Sequence, residues 1–211
     1  MLASPPCTGD TPGVNEPLVY LASASPRRRE LLAQIGVQHS VHPVSLEETA
    51  LPGEAPADYV RRLAGDKAAR GWQELSPEAG TIVLGADTAV VADGAILGKP
   101  AGPDEAAGML AALSGRRHEV FSAVSGVAAD RRETLLSRSA VTFRDLTAGE
   151  IRRYVATGEP LDKAGAYGIQ GLAAVFVADL AGSYSGVMGL PLFETAALLA
   201  SLGLNVIGTP A

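Results

Sequence analysis

Apolar and polar positions alternate along the chain in a way that predicts an α/β protein. A short apolar run over 18–21 predicts a first strand, and Leu31 and Leu32 then begin a stripe at helical spacing. A second apolar stripe predicts a helix over 57–75. Because strands and helices continue to alternate without an internal repeat, we expect one α/β domain over 18–211.

The pattern is clearest in the stretch TIVLGADTAVVADGAILGKP, residues 81–100. Two apolar arms flank the Asp-Gly dipeptide at 93–94, which is a typical two-residue hairpin turn. Pairing of the arms would return Lys99 close to Asp87 and Thr88. An acid, a hydroxyl and an ammonium would then gather at one end of the hairpin. On this stretch alone, an ordinary hairpin closed by an Asp–Lys pair is the alternative.

The remaining elements follow from shorter signals. Residues 147–150 read as a capping box that begins a helix. The other elements are predicted as strands over 118–128, 133–143 and 172–177, a turn over 182–186, and a last helix that begins at 189–191.

Composition narrows the function classes. The 211 residues are 47% hydrophobic and 19% charged, as in an ordinary globular protein, and the net charge is -6. An acidic chain argues against binding of a nucleic-acid polymer, which favours a basic surface. Any phosphate chemistry must therefore use a local basic patch. Cys7 is the only cysteine, so an intramolecular disulfide is excluded and a reducing cytoplasm is expected.

The first 17 residues predict a flexible N-terminal extension. They contain Pro, Gly and Thr but neither the basic region nor the apolar region of a signal peptide. No apolar run in the chain reaches the length that spans a membrane, so no membrane association is expected.

The segment after the first strand, SASPRRRE at 23–30, has an unusual charge distribution. Ser25 suits a helix N-cap and Pro26 the first helical position. Three arginines follow in the first turn, where the helix dipole favours acidic side chains. A bound anion would reverse this cost, because the free backbone N–H groups of a helix start also attract anions. The segment favours a phosphate cradle over a solvated basic patch.

A second unusual segment is DKAGAYGIQG at 162–171. Its glycines and alanines suit a backbone that wraps closely around a ligand, and Gln170 offers the donor and acceptor that a nucleobase edge requires. A tight crossover loop is the alternative. Among 17 basic residues only Lys67, Lys99 and Lys163 are lysine, which hints that a compact point charge is needed at these positions.

Adjacent carboxylates at Glu47 and Glu48 lie in a polar loop. Such pairs are usually exposed to solvent, and they bind a metal here only if Asp87 is nearby. The three histidines form no His-rich motif, so any metal is expected to be a hard ion on carboxylates, Mg²⁺ or Mn²⁺.

Five short segments, taken together, resemble the motifs of a known family. SASPRR at 23–28, GADT at 85–88, GKP at 98–100, KAGAYGIQG at 163–171 and GLP at 189–191 follow one another in the order found in the Maf family of nucleoside-triphosphate pyrophosphatases. The chain resembles this family over essentially 18–211. The resemblance implies an inosine-triphosphatase-like α/β fold with a long mixed central sheet flanked by helices and a cleft between two lobes. It also implies a homodimer and a divalent metal.

The resemblance assigns roles by position. Asp87 matches the catalytic acid that accepts a proton from the attacking water. The residues at the positions that set base preference resemble the branch acting on dTTP and UTP, and they are Arg27, Thr88 and Gln170. The residues matching triphosphate-binding positions are Ser23, Arg28, Lys67 and Lys99, of which the two lysines would stabilise the leaving pyrophosphate. Glu47 and Glu48 match an acidic loop near the metal, with Asp87 as a further ligand.

The resulting hypothesis is a pyrophosphatase that converts dTTP or UTP to the monophosphate and pyrophosphate. The role of Asp87 as metal ligand or as general base stays open at this point. One alternative is a non-catalytic nucleotide-binding regulator of cell division. Another is an enzyme of the same fold that removes non-canonical purine nucleotides.

Overall fold

The computed structural model describes residues 18–207, which form a mixed sheet of seven strands. The predicted extension over 1–17 lies outside the described residues. The strands are β1 (Leu18–Leu21), β2 (His39–Val41), β3 (Thr81–Ala92), β4 (Ala95–Leu97), β5 (Arg117–Val127), β6 (Arg132–Phe143) and β7 (Val177–Ala181). Their order is β2-β1-β3-β5-β6-β7, and β4 also pairs with β3. The pairs of β1 with β2 and β3 are parallel, and the others are antiparallel.

Six α-helices among the described residues flank this sheet. They are α1 (Pro26–Gln34), α2 (Pro56–Leu75), α3 (Pro103–Leu113), α4 (Ala148–Ala156), α5 (Tyr184–Met188) and α6 (Leu192–Ser201). Short 3₁₀ segments span Glu159–Asp162, Ala164–Ala166 and Leu172–Phe176. No helix within residues 18–207 combines the length and the apolar character needed to cross a membrane.

Most of the predicted elements are confirmed, with the first strand, the hairpin and the two long strands close to their expected bounds. The capping box before α4 is also confirmed, because Thr147 and Glu150 each accept from the other's backbone N–H. The last helix begins at Leu192, directly after the predicted start.

Two predictions in the C-terminal third are wrong. The apolar run over 172–177 is mainly a 3₁₀ helix, and the strand begins only at Val177. An apolar run this short does not distinguish a strand from a buried helix, and here Ala173 and Phe176 share the buried side at a spacing of three. The predicted turn over 182–186 instead begins α5, whose N-cap Ser183 accepts from the Gly186 N–H at 3.0 Å.

The most important consequence of the topology for the site is a break in strand pairing along one edge of β3. On that edge, β1 pairs with residues 81–84 and β4 with residues 90–92, while β5 pairs along the opposite edge. Within residues 18–207 no strand pairs with that edge at 85–89. Successive side chains of a strand point to opposite faces, so both faces of β3 are accessible from this open edge of β3.

Separate apolar clusters pack on the two sides of the open edge. One cluster joins β1, α1 and α6 through residues such as Leu21, Leu32 and Leu198. The other joins the sheet to α3 and α4 through residues such as Leu110 and Phe143. The predicted α/β architecture, a mixed sheet flanked by helices with a cleft between two lobes, is confirmed.

Gly85 allows α2 to pack directly on one face of β3, beside the open edge. A Cβ atom at this position would collide with the carbonyl oxygen of Ala64 and with the backbone of Ala68, both in α2. Because backbone atoms in the middle of a helix cannot move aside, only glycine permits this approach. The same approach brings Lys67 of α2 against β3.

We predict that Gly85→Ala lowers the free energy of unfolding by about 2 kcal/mol, the typical cost of overpacking a well-packed interior. Gly108→Ala in α3 is the matched control, because a Cβ there meets no described atom within 4 Å. Alanine at this helical position should be neutral or stabilising. Urea denaturation followed by circular dichroism measures both, and equal stability of the two variants would contradict the close approach.

Candidate active site

A cleft of about 570 Å³ lies at the open edge of β3. Its walls come from the 23–28 turn, α2, β3, the segment after β4, the 162–170 loop and the end of α5. The predicted site residues that line it are Ser23, Arg27, Arg28, Glu48, Lys67, Asp87, Thr88, Lys99 and Gln170. Glu47 is not among the described residues that line the cleft, and its carboxylate accepts a hydrogen bond from the Thr49 hydroxyl at 3.1 Å.

A buried ammonium joins two carboxylates at the centre of the cleft. Lys67 Nζ lies 2.7 Å from Asp87 Oδ1 and 2.5 Å from Glu48 Oε1. Lys67 and Asp87 are only 7% and 6% exposed. Buried charges require partners, and each of these has one. The ammonium partner of Asp87 is therefore Lys67 of α2, and the contact with Lys99 considered for the hairpin is replaced.

The two carboxylates differ in their affinity for a proton. Burial raises the pKa of Asp87 above its usual range, although the charges of Lys67 and Arg28 oppose the shift. Burial also acts on Glu48, but the hydrogen bond and charge of Lys67, with the charges of Lys99 and Arg28, outweigh it and lower the pKa of Glu48. Opposite shifts in neighbouring carboxyl groups often divide acid–base roles in active sites. Asp87 is the better proton acceptor of the two.

Tyr59 holds the loop that carries Glu48, and sequence reasoning missed it. Its hydroxyl donates to the Glu48 carbonyl oxygen at 3.0 Å. Burial, followed by the negative charges of Asp87 and Glu48, raises the pKa of Tyr59 to about 12. The phenol therefore stays protonated and remains a donor at neutral pH.

The turn at 23–28 presents donors to the cleft. Ser23 Oγ accepts from the Ser25 N–H and from Arg28 Nη1, both at 3.2 Å. The Ser23 O–H is therefore left to donate into the cleft. Arg28 is further fixed by a 2.8 Å hydrogen bond from Nε to the Gly189 carbonyl oxygen. Burial lowers the pKa of Arg28, although the negative charges of Asp87 and Glu48 oppose the shift. The guanidinium group stays protonated.

As predicted, α1 begins after Ser25 with Pro26 in its first turn. The first turn contains no acidic side chain, and Ser25 makes no capping hydrogen bond through its own side chain. Free backbone donors and two cleft-facing arginines thus coincide at one helix start, as an anion site requires.

The 162–170 loop forms the opposite wall. Arg27 Nη1 lies 3.8 Å from Asp162 Oδ2, so an ion pair crosses the mouth of the cleft. The Gly165 N–H donates to the Gly98 carbonyl oxygen at 3.1 Å, which ties the loop to the segment after β4. Lys99 and Gln170 are exposed at the rim, where both can reach a ligand.

A buried pair holds the loop against the sheet. Tyr167 shares a 2.9 Å hydrogen bond with His118 Nε2. Burial lowers the pKa of His118 to about 4, so its imidazole is neutral at physiological pH. Burial likewise raises the pKa of Tyr167. The pair is a neutral structural contact that positions the loop.

Asp87 and Glu48 are the carboxylates suited to a divalent cation. Within residues 18–207, no group of three or more His, Cys, Asp or Glu side chains is arranged to hold a metal. Mg²⁺ is commonly bound by one or two protein carboxylates together with substrate phosphates. Asp87 and Glu48 would supply the two protein carboxylates for that mode of binding.

Ser122, which sequence reasoning missed, does not line the cleft but contacts the cleft residue Thr88. It lies directly opposite Thr88 in the β3–β5 pairing and is 1% exposed. Serines within the otherwise apolar run of β5 indicate in the sequence that buried hydroxyl groups need hydrogen-bond partners. Which residues are the partners depends on strand register. Ser122 therefore becomes informative only in the folded protein.

Comparison with known proteins places this arrangement among its relatives. The chain is 54% identical over 202 residues to a dTTP/UTP pyrophosphatase from Bordetella parapertussis, covering 93% of this chain and 98% of that protein. It is 58% identical over 187 residues to the protein of that name from Methylococcus capsulatus, covering 89% and 92%. A dITP/XTP pyrophosphatase structure from Mycobacterium abscessus aligns over 87% of this chain and 93% of its own, at 15% identity and a TM-score of 0.44.

The family model described as Maf-like protein matches residues 18–202, a span that holds the whole cleft. With this match and relatives of more than half identical sequence, the chain belongs to the Maf family.

Proposed function

We propose that the protein is a nucleoside-triphosphate pyrophosphatase that converts dTTP and UTP to the monophosphate and pyrophosphate. The observation that carries the proposal is a buried carboxylate of raised pKa, Asp87, facing a cleft whose neighbouring turn offers an anion site. The activity named for the curated relatives supports the same assignment.

The triphosphate binds at the 23–28 turn. Ser23 donates through its free O–H, Arg27 and Arg28 supply guanidinium groups, and the start of α1 adds backbone donors. Arg27 exchanges its weak 3.8 Å contact with Asp162 for a phosphate oxygen. These contacts fix the α-phosphate near Asp87 on the adjacent strand.

Hydrolysis needs one proton transfer and one bond cleavage. Asp87 accepts a proton as the water oxygen bonds to the α-phosphorus, and the bond to the bridging oxygen of the β-phosphate breaks, releasing pyrophosphate. Lys67 and Lys99 stabilise the charge that accumulates on the leaving pyrophosphate. Because the donors are held in place before reaction, the main contribution is preorganised electrostatic stabilisation.

Asp87 and Glu48 would hold Mg²⁺ or Mn²⁺, and Glu47 stays only a predicted contributor. When bound, the cation supplies charge neutralisation at phosphate oxygens and lowers the pKa of a coordinated water. A cytoplasmic location and a homodimer complete the proposal, the first from the single cysteine at position 7 and the second from the family resemblance.

A non-catalytic regulator is not favoured. Such a protein would need the nucleotide-binding residues but not the acid or the lysines. The cleft contains Asp87, Lys67 and Lys99 together with the phosphate-binding turn.

We predict that Asp87→Asn lowers turnover of dTTP at least about 10²-fold, because the amide cannot accept the proton. The measurement is pyrophosphate release with Mg²⁺ at saturating dTTP. Asp66→Asn, at a partly exposed position of α2 that is not among the described residues lining the cleft, is the matched control and should keep full activity. Retained activity in Asp87→Asn would remove Asp87 from the mechanism.

We expect turnover to be lost in EDTA and restored by excess Mg²⁺ or Mn²⁺, since a cation held by Asp87 and Glu48 would balance the negative charge of the triphosphate beside these carboxylates. The same assay in wild-type protein tests this requirement. Full activity in EDTA would contradict the proposed metal dependence.

The choice among nucleotide substrates should depend on the hydrogen-bonding edge of the base. Thymine and uracil share one hydrogen-bonding edge, whereas cytosine exchanges a carbonyl for an amine, which a hydrogen-bonding site can strongly reject. We therefore expect release from dTTP and UTP and weak release from CTP, dITP and 7-methyl-GTP. Comparable kcat/KM for CTP and UTP would contradict base reading by Gln170.

A further inference from the structure

We infer that Ser122 is a positioning residue that fixes Thr88 as a hydrogen-bond acceptor in the cleft. Thr88 then accepts a hydrogen bond from the N3–H of the substrate's base, and it does not bind a phosphate oxygen. This inference rests on the proposed function and extends it to a residue outside the recognised motifs.

A short chain of hydrogen bonds runs from the cleft into the protein. Thr88 lines the cleft, and its Oγ1 lies 2.9 Å from Ser122 Oγ. Ser122 Oγ lies 2.6 Å from the carbonyl oxygen of Gly186 in α5. Ser122 is almost fully buried, so its hydroxyl cannot hydrogen-bond to solvent water instead.

Counting protons fixes the direction of the chain. A carbonyl oxygen only accepts, and a serine hydroxyl has a single proton. Ser122 must therefore donate to Gly186, because two oxygen atoms at 2.6 Å repel each other without a proton between them. Thr88 must in turn donate to Ser122. The only hydroxyl proton of Thr88 is thus used inside the protein, and its lone pairs remain for a ligand.

The hydroxyl of Ser23 has the opposite hydrogen-bonding role, because its oxygen is occupied and its proton is available. It accepts from Ser25 and Arg28, which leaves its proton for a ligand. Ser23 therefore suits a phosphate oxygen, whereas Thr88 would repel one. Uracil and thymine carry an N3–H that Thr88 can accept, while the corresponding ring nitrogen of cytosine is an acceptor and would face the lone pairs of Thr88.

Strand β5 contains a matched control. Ser125 is also buried, its Oγ donates to the Glu133 carbonyl oxygen at 3.1 Å, and it accepts from Thr134 Oγ1 at 2.9 Å. It makes the same two kinds of hydrogen bond as Ser122, but its partners are not among the described residues that line the cleft, whereas Thr88, the partner of Ser122, is. Ser125→Ala removes the same chemistry from the same strand without changing the polarity of Thr88.

The experiment compares kcat/KM for UTP and CTP in the Mg²⁺-loaded protein. Ser122→Ala frees the Thr88 hydroxyl to rotate and donate, so we expect the UTP:CTP ratio to fall roughly tenfold, about the effect of one hydrogen bond. Ser125→Ala should leave the ratio unchanged. Equal UTP:CTP ratios in the two variants would overturn the inference, because a merely structural role of Ser122 would lower kcat/KM for both substrates alike.

Variants of the partly exposed Thr88 give the same test without disturbing the buried serine. Thr88→Ser keeps the hydroxyl and should keep the ratio, whereas Thr88→Val should lower it to the level of Ser122→Ala. Adding Ser122→Ala to Thr88→Val should produce no further fall in the ratio. A further fall would show that Ser122 acts by another route and would overturn the inference.

One analogue tests whether N3–H is the donor to Thr88. N3-methyl-UTP lacks this N–H, so we expect wild type and Ser122→Ala to turn it over equally. A full Ser122→Ala effect on this analogue overturns the inference. Absence of pyrophosphate release by wild type overturns the proposed function and this inference with it. Release with unchanged ratios in every variant overturns the inference alone.

Discussion

The arrangement of the cleft depends on a strand that is paired along only part of one edge. β3 has β1 at the beginning of that edge and β4 at its end, and the residues between them, 85–89, face the cleft. Because neighbouring side chains in a strand point to opposite faces, Asp87 and Thr88 belong to different faces of the sheet. Only an open edge allows both faces to serve one ligand. The acid then meets α2, and the hydroxyl meets β5 and α5.

The charge distribution follows from the close packing of α2 on the face of β3 that carries Gly85 and Asp87. Lys67 reaches β3 because Gly85 has no side chain, and its buried ammonium pairs with the buried Asp87 and the exposed Glu48. Removing one member of a buried ion pair leaves an uncompensated charge and typically costs about 3–5 kcal/mol. Lys67 is thus a structural counterion as well as a site residue. Arg27, at the start of α1, is more exposed and makes only a 3.8 Å contact with Asp162, so it can interact with substrate without such a cost.

Local signals in the sequence predict much of the fold. The first strand, the Asp-Gly hairpin, the proline-led helix after Ser25 and the capping box at Thr147 each depend on neighbours within a few residues. The cleft was also largely predictable, because the family motifs mark the residues that line it. The failures share one physical origin. The partner of Lys67, the proton chain through Ser122 and the coiling of the 172–176 run depend on contacts between segments far apart in sequence, and local pattern does not encode them.

The pairing of β3 with β5 has a mechanical consequence. It runs without interruption from Val83 opposite Val127 to Val91 opposite Glu119, so one hydrogen-bonded ladder crosses the floor beneath both lobes. Swinging the lobes apart as rigid bodies would bend or break that ladder, because the usual loop hinge is missing between these strands. Nucleotide entry and product exit are therefore expected to involve side chains at the cleft mouth and the 162–170 loop, which forms one of its walls. A lattice that leaves the cleft mouth open to solvent channels should tolerate soaked ligands without cracking.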